Sequence, residues 1–255
     1  MTRHLAILLA AFSSFAPAQD QPPAPAPAPP ATQNQPPDPA PPPIEKLDDS
    51  RYRIGTLTLN QKTREIRFPT KVNMAEGLLE YILCMQKGKV HEALLVTDIS
   101  PTHLNLAFTL LRYPASDELF SLPDKTGRLT NKFPSVPATV KSAARIAIDV
   151  EWNDPADKTR RLHINEWIEN NVKKTTMLAG PWLYTGGRFN EGKYVPEMTG
   201  DIAAIMVVPE AIINYPGSDN GDNVWFALRK HVPPVGTPVT VIITPYSNSN
   251  PVPKP

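Results

Sequence analysis

Cysteine is almost absent: Cys84 stands alone among 255 residues. A single thiol forms no internal disulfide and cannot hold an iron–sulfur cluster or a cysteine-rich zinc site. Stability must therefore come from burial, and between Leu83 and Met85 the residue reads as a small buried hydrophobe. Excess charge of one sign is missing too. Lys and Arg number 26 against 25 Asp and Glu, a formal charge of +1 with both signs interleaved. That pattern excludes a basic nucleic-acid stripe and an acidic solvating tail. No apolar run reaches the roughly 20 residues that cross a bilayer, so the chain reads as not membrane-spanning. Catalytic signatures are also lacking. There is no Gly-x-Ser-x-Gly elbow and no Gly-x-x-x-x-Gly-Lys phosphate loop, and Glu-Ala-Leu-Leu follows His91 where a two-His zinc-protease motif needs a second His.

What is present begins with a leader. Arg3 and His4 precede the apolar stretch Leu5 to Phe12, and Ala16-Pro17-Ala18 puts small residues where a signal peptidase reads them. Residues 1–18 are expected to be cleaved, leaving Gln19 first in an exported chain, periplasmic or extracellular. No Cys closes the apolar stretch, which excludes a lipid anchor. Much of the chain's 31 Pro falls between Gln19 and Pro43, in PPAPAPAPPATQNQPPDPAPPP. Proline fixes φ and removes donors, so residues 19–43 read as a disordered or polyproline II arm. At about 3.1 Å per residue it reaches on the order of 75 Å. It is either a spacer or a ligand for a Pro-binding module. The spacer is preferred because such modules are mainly intracellular. Residues 44–246 then form one folded domain, and 247–255 a loose tail.

The domain reads as mainly β with one or two helices, a single compact body of short, largely antiparallel strands. Ile54, Leu57 and Leu59 mark one strand and Glu65 to Phe68 a second, ended by Pro69. Asn73 to Gly88 is ambiguous. Asn73 and Glu76 suit a helix cap, whereas Leu79, Tyr81, Leu83 and Met85 alternate as a strand, and Gln86-Lys87-Gly88 suits a three-residue hairpin loop. The hairpin is preferred, pairing Leu78–Met85 with Lys89–Thr97. Ser100 caps a clearer helix with Pro101 in its first position and Leu104, Ala107, Phe108 and Leu111 on one face. Pro114 to Lys141 is a long connection. Further strands are expected over Arg145–Trp152, Trp182–Gly186, Gly200–Val208 and Val239–Ile243, with Thr159–Trp167 strand or short helix.

Candidate sites are few. Glu80, Lys89, His91 and Glu92 gather around the expected hairpin, and carboxylates with imidazole suit a divalent metal or acid–base work. His103 joins them if the helix packs across that hairpin. Register decides the rest: a three-residue loop puts His91 opposite Leu83 and Glu92 on the face of Glu80 and Cys84, whereas a two-residue loop puts His91 opposite Cys84. A Lys–Glu or His–Glu pair that merely fastens a strand is the plainer reading. His163 and Glu166 form a second His/Glu pair, and His231 reads as a loop residue. Asp219 to Asn223 has oxygen ligands and Gly but not the full calcium-loop spacing, so an Asx-type turn is preferred. Trp182, Tyr184, Trp225 and Phe226 are candidates for a ligand groove, or simply core.

Two stretches together carry a resemblance. Glu80 to Thr97, EYILCMQKGKVHEALLVT, with the helix from Pro101, resembles the core of the YdjY-like domain of exported bacterial proteins. Pro181 to Gly186 and Trp225 resemble its C-terminal half, with Gly187 where that pattern has Ser. The likeness runs from about Gly55 to Pro245. It implies a single exported domain and supplies no reaction, cofactor or catalytic residue. The function expected is a binding or structural module facing an envelope protein or polymer. A metal-binding protein using His91 and Glu92 comes second. A hydrolase ranks last, since no nucleophile–base pair can be named.

Overall fold

The computed structural model describes residues 43–221 and 223–247. The expected leader, the Pro/Ala arm up to residue 42 and the tail beyond residue 247 lie outside the described residues. The strands in chain order are β1 (Ile44–Lys46), β2 (Arg51–Ile54), β3 (Leu57–Asn60), β4 (Glu65–Val72), β5 (Tyr81–Met85) and β6 (Ala93–Thr97). They continue with β7 (Arg145–Asn153), β8 (Thr159–His163), β9 (Ile168–Asn170), β10 (Thr175–Thr176), β11 (Trp182–Tyr184) and β12 (Phe189–Asn190). The last are β13 (Lys193–Tyr194), β14 (Asp201–Ala204), β15 (Ile213–Asn214), β16 (Trp225–Ala227) and β17 (Pro238–Pro245). Among the described residues three α-helices accompany them: α1 (Pro101–Leu110), α2 (Ala138–Ala143) and α3 (Val195–Thr199). The domain is mainly β, as expected, and only the pairs β5–β6 and β14–β15 are parallel among the described ladders.

Eight strands close on themselves in the order β4–β17–β7–β11–β15–β14–β5–β6, and β6 returns to β4. The result is a barrel. β1 to β3 extend from β4 as an antiparallel flap, β8 extends from β7, and two small sheets (β10–β9–β16 and β12–β13) lie apart from the ring. β17 is wedged between β4 and β7 with six residue partners on each side. Its β-branched Val239, Val241 and Ile243 are buried, which is why this short run holds the centre of the sheet. Inside the ring, Ile82, Leu83, Leu95, Ile148, Ala203, Ile213, Val241 and Ile243 leave a residual cavity of only about 10 Å³. That is room for at most one water, and the walls are apolar. The interior is a packed core and not a ligand cup.

Helix α1 follows its sequence signals. The Ser100 hydroxyl accepts from the His103 N–H, Pro101 opens the helix, and Leu104, Ala107 and Phe108 are buried. Phe108 then stacks on Tyr184 of β11 with ring centroids 4.1 Å apart. A second cap comes from far along the chain: the Glu197 carboxylate of α3 accepts from Ser100 Oγ and from Thr102 N and Oγ1 at 2.7–3.0 Å.

Three expectations need correction. Ile54 and Leu57 belong to two strands and not one: they face each other across a two-residue turn in which Gly55 has φ +58°, a conformation that favours glycine at a tight hairpin. Pro69 does not end its strand. β4 pairs with β3 through residues 65–67 and with β6 through residues 71–72, so Pro69 sits where the neighbour changes and its missing N–H costs no ladder bond on that side. The preferred hairpin at Leu78–Thr97 is the third. β5 and β6 run parallel, Tyr81 beside Ala93 and Cys84 beside Val96, and residues 86–92 return the chain in seven residues ending in a 3₁₀ turn at Val90–Glu92. Parallel neighbours usually need a crossover of about a dozen residues. Asn73 makes the short return possible, because its amide donates to the carbonyls of Val90 and Ala93 at 2.6 and 2.7 Å. No helix forms at Asn73.

Candidate functional site

The seven-residue return carries Lys89, His91 and Glu92 over the outer side of β5, where β14 has brought Asp201 level with Cys84. Asp201 is 3 % exposed at its side chain, and its Oδ2 lies 3.9 Å from Lys89 Nζ. Its other oxygen, Oδ1, has no hydrogen-bond partner among the described residues. Lys89 Nζ donates to the Tyr81 hydroxyl and stands 4.7 Å from the centre of the Tyr81 ring. Tyr81 and Cys84 are fully buried beneath it. One half-exposed lysine therefore roofs a buried phenol, thiol and carboxylate.

Proton affinities follow from that arrangement. Burial pushes the Tyr81 phenol above its ordinary range, only partly opposed by Lys89. Burial, with the nearby charges of Asp201 and Glu92, pushes the Cys84 thiol up to about 12. For Lys89 burial acts downward, but the bond to Tyr81 and the negative charge of Asp201 outweigh it and the ammonium is held above its ordinary value. A thiolate nucleophile or an amine base needs the reverse shifts. Tyr81, Cys84 and Lys89 are all shifted toward keeping their protons.

The other candidates are placed as follows. His91 is 77 % exposed at its side chain, and its Nε2 lies 3.6 Å from Glu92 Oε2. The two neighbours meet because they occupy a 3₁₀ turn. In a flat strand they would point to opposite faces. Glu80 is joined to Glu92 through the backbone, its N–H donating to the Glu92 carbonyl at 3.1 Å. His103 lies elsewhere, against Gly55 at the β2–β3 turn. Among the described residues no three His, Cys, Asp or Glu side chains are grouped so as to hold a metal ion. His163 and Glu166 cap the short 3₁₀ turn at Ile164–Trp167, and the His231 ring bonds the Glu166 carbonyl at 2.7 Å.

Three of the aromatic residues read as groove or core point inward. Trp182, Tyr184 and Trp225 are 0, 4 and 3 % exposed, and each directs its polar atom into the domain. Trp182 Nε1 donates to Asn165 Oδ1 at 2.8 Å, the Tyr184 hydroxyl to Asn105 Oδ1 at 2.6 Å and Trp225 Nε1 to the Asp219 carbonyl at 2.7 Å. Aromatic residues with a satisfied polar end are core members. Asp219 is engaged by protein too, accepting from the Tyr215 hydroxyl at 3.2 Å and lying 3.7 Å from Lys173 Nζ; Asp222 lies outside the described residues.

Tyr81 and Asp201 were not among the candidates read from the sequence. Asp201 carried one usable signal, a carboxylate wedged between Gly200 and the apolar run Ile202–Val208.

A closed eight-strand barrel with a solid interior, one capped helix on its flank and a lysine-roofed polar cluster outside defines a small β-barrel domain. The YdjY domain matches residues 57–244, and the chain belongs to that family. No curated protein and no solved structure matches it.

Proposed function

We propose that this chain is an exported, non-catalytic binding or structural module of the cell envelope, standing on the 19–43 spacer after loss of its leader. The observation that supports the non-catalytic half is the burial of Tyr81 and Cys84 under Lys89, bonded to the Tyr81 hydroxyl, which shifts all three groups upward, whereas general acid–base and nucleophilic chemistry needs groups poised near neutrality. The filled barrel supports the same reading, because a ligand has to be met on the outer surface. Export rests on the pattern of residues 3–18, and the lone buried Cys84 suits an oxidising compartment.

Fractionation of the native host with N-terminal sequencing tests export. An envelope-associated chain beginning at Gln19 is expected, and a cytoplasmic chain intact from Met1 overturns the reading. Turnover of ester, phosphate or glycoside substrates that disappears in Lys89→Met overturns the non-catalytic half.

A metal-binding role is the second reading, favoured by the approach of His91 to Glu92. It ranks lower because two side chains fall short of the three or four protein ligands of a zinc site. Stoichiometric metal in untagged protein, lost in His91→Ala, would raise it to first.

A further inference from the structure

The loop between β15 and β16 contains the run Asp219-Asn220-Gly221-Asp222-Asn223, and in 255 residues Asn is followed by Gly only there. An Asn side chain is open to attack by the backbone nitrogen of the next residue, and glycine, with no Cβ, leaves that nitrogen unscreened. In a folded chain both groups must also be free. Asn60, Asn105, Asn153, Asn165, Asn170 and Asn214 fail that condition, because the side-chain oxygen of each accepts a hydrogen bond. Asn131, Asn190 and Asn223 have no side-chain bond among the described residues, but Lys132, Glu191 and Val224 follow them and screen the attacking nitrogen. Asn220 meets both conditions. Neither its amide nor the Gly221 N–H is bonded to another described residue, and Gly221 is exposed.

The chain is pinned on either side of this pair. The Asp219 carbonyl accepts from Trp225 Nε1 at 2.7 Å, and Asp219 Oδ1 accepts from the Tyr215 hydroxyl at 3.2 Å. Trp225 is buried, and its ring meets Tyr215 edge-on with centroids 5.9 Å apart. Beyond the pair, the Val224 carbonyl accepts from Asn171 N at 2.8 Å. The span between these two anchors is short, so a longer main chain at Asn220 disturbs the bond that satisfies the buried indole. A carboxylate in place of the Asn220 amide would also stand next in sequence to Asp219, and like charges side by side repel.

We infer that Asn220 is a modification site: with water as co-reactant, the folded domain converts it to aspartyl and isoaspartyl forms and so loosens the anchor of Trp225. The Gly221 nitrogen bonds to Asn220 Cγ, the Cγ–Nδ2 bond breaks, and the departing amide takes up the proton lost by Gly221 and leaves as ammonia. The succinimide so formed is opened by water. Attack at Cγ restores the ordinary main chain with an Asp side chain. Attack at the α-carbonyl leaves the main chain running through Cγ, longer by a methylene. No oxidant or reductant is needed. The test incubates the purified full chain at mildly alkaline pH, folded and in urea. Peptide mass spectrometry locates the change, and an isoaspartyl methyltransferase reports the isoaspartyl product. Among Asn131, Asn190, Asn220 and Asn223, conversion in the folded chain is expected at Asn220 alone, at a rate comparable with that in urea. Gly221→Ala should slow it about tenfold or more, equivalent to about 1.4 kcal/mol on the barrier. Gly221 is not in the left-handed region and its Cβ would stand 3.4 Å from Val224 Cγ2, an ordinary contact, so the alanine variant folds. The converted chain should melt at a lower temperature than fresh protein, and Gly221→Ala incubated alongside should keep its Tm. An Asn220 that stays intact in the folded chain while converting in urea overturns the site, as does an equal rate in Gly221→Ala. A converted chain with unchanged Tm overturns the link to Trp225.

Discussion

Gly200 and Gly88 lie back to back: a Cβ built on Gly200 would stand 3.0 Å from the Gly88 Cα. Gly200 ends α3 with φ +82° and so carries two constraints at once, a left-handed backbone and a neighbour that cannot yield. Gly200→Ala is expected to cost about 2–3 kcal/mol and to lower Tm by roughly 5–10 °C. Gly127, with φ +84° and nothing within 4 Å of its Cβ position, isolates the backbone part, and Gly127→Ala should cost no more than about 1 kcal/mol. Thermal melts of the two variants settle the comparison, and equal losses refute the contact.

Lys89 and Asp201 form a second testable pair. Lys89→Met leaves the Asp201 carboxylate buried without its cation, at an expected cost of about 1–3 kcal/mol in denaturant unfolding. Adding Asp201→Asn removes the buried charge and should recover much of that loss. Additive losses in the double variant would show that the two residues do not interact.

Trp182→Phe tests whether this aromatic residue is core or contact surface. The change deletes the donor to Asn165 Oδ1, an acceptor on a fully buried residue, and leaves a small void. An unfolding free energy lower by about 2–4 kcal/mol is expected. A stability equal to that of the parent chain would return Trp182 to the list of ligand contacts.

His163 gives the domain a pH dependence near neutrality. Burial holds its imidazole below the ordinary 6.5, and the Asp149 charge and the Asn165 side chain act the other way. As pH falls, the unfolded chain therefore takes up the proton first. The stability associated with neutral His163 is intact above about pH 6.5 and drains away as the solution is acidified toward the lower folded value. The slope should not exceed about 1.4 kcal/mol per pH unit. Glu197, Asp124 and Asp154 are held low instead, so their contributions fade only below about pH 4.5. Denaturant melts between pH 8 and 5 should show the slope in the parent chain and lose it in His163→Gln.

Local chemistry made α1 legible. Ser100, Pro101 and the Leu104–Phe108 face act within one or two turns, and the helix formed where they placed it. The β5–β6 pairing was not legible, because Gln86-Lys87-Gly88 is a sound hairpin signal in isolation. What overrode it was distant: Asn73 gripping Val90 and Ala93, and β14 occupying the other side of β5. Pro69 misled for a related reason. A proline ends a strand only where its N–H is wanted, and the exchange of β3 for β6 along β4 is a property of the closed ring. The polar cluster was half visible. Lys89 and Glu92 stood out as charges in an apolar stretch, but Asp201 lies 112 positions from Lys89 in the chain and joins it only through the sheet.

The last strand has a bearing on how the molecule is made. Because β17 fills the gap between β4 and β7, ribosome-bound chain lacking residues 238–245 has a slot in its wall and two unsatisfied edges facing it. Closure of the ring waits until residues 238–245 have left the ribosome, so every earlier strand of the barrel is made before the wall can be completed.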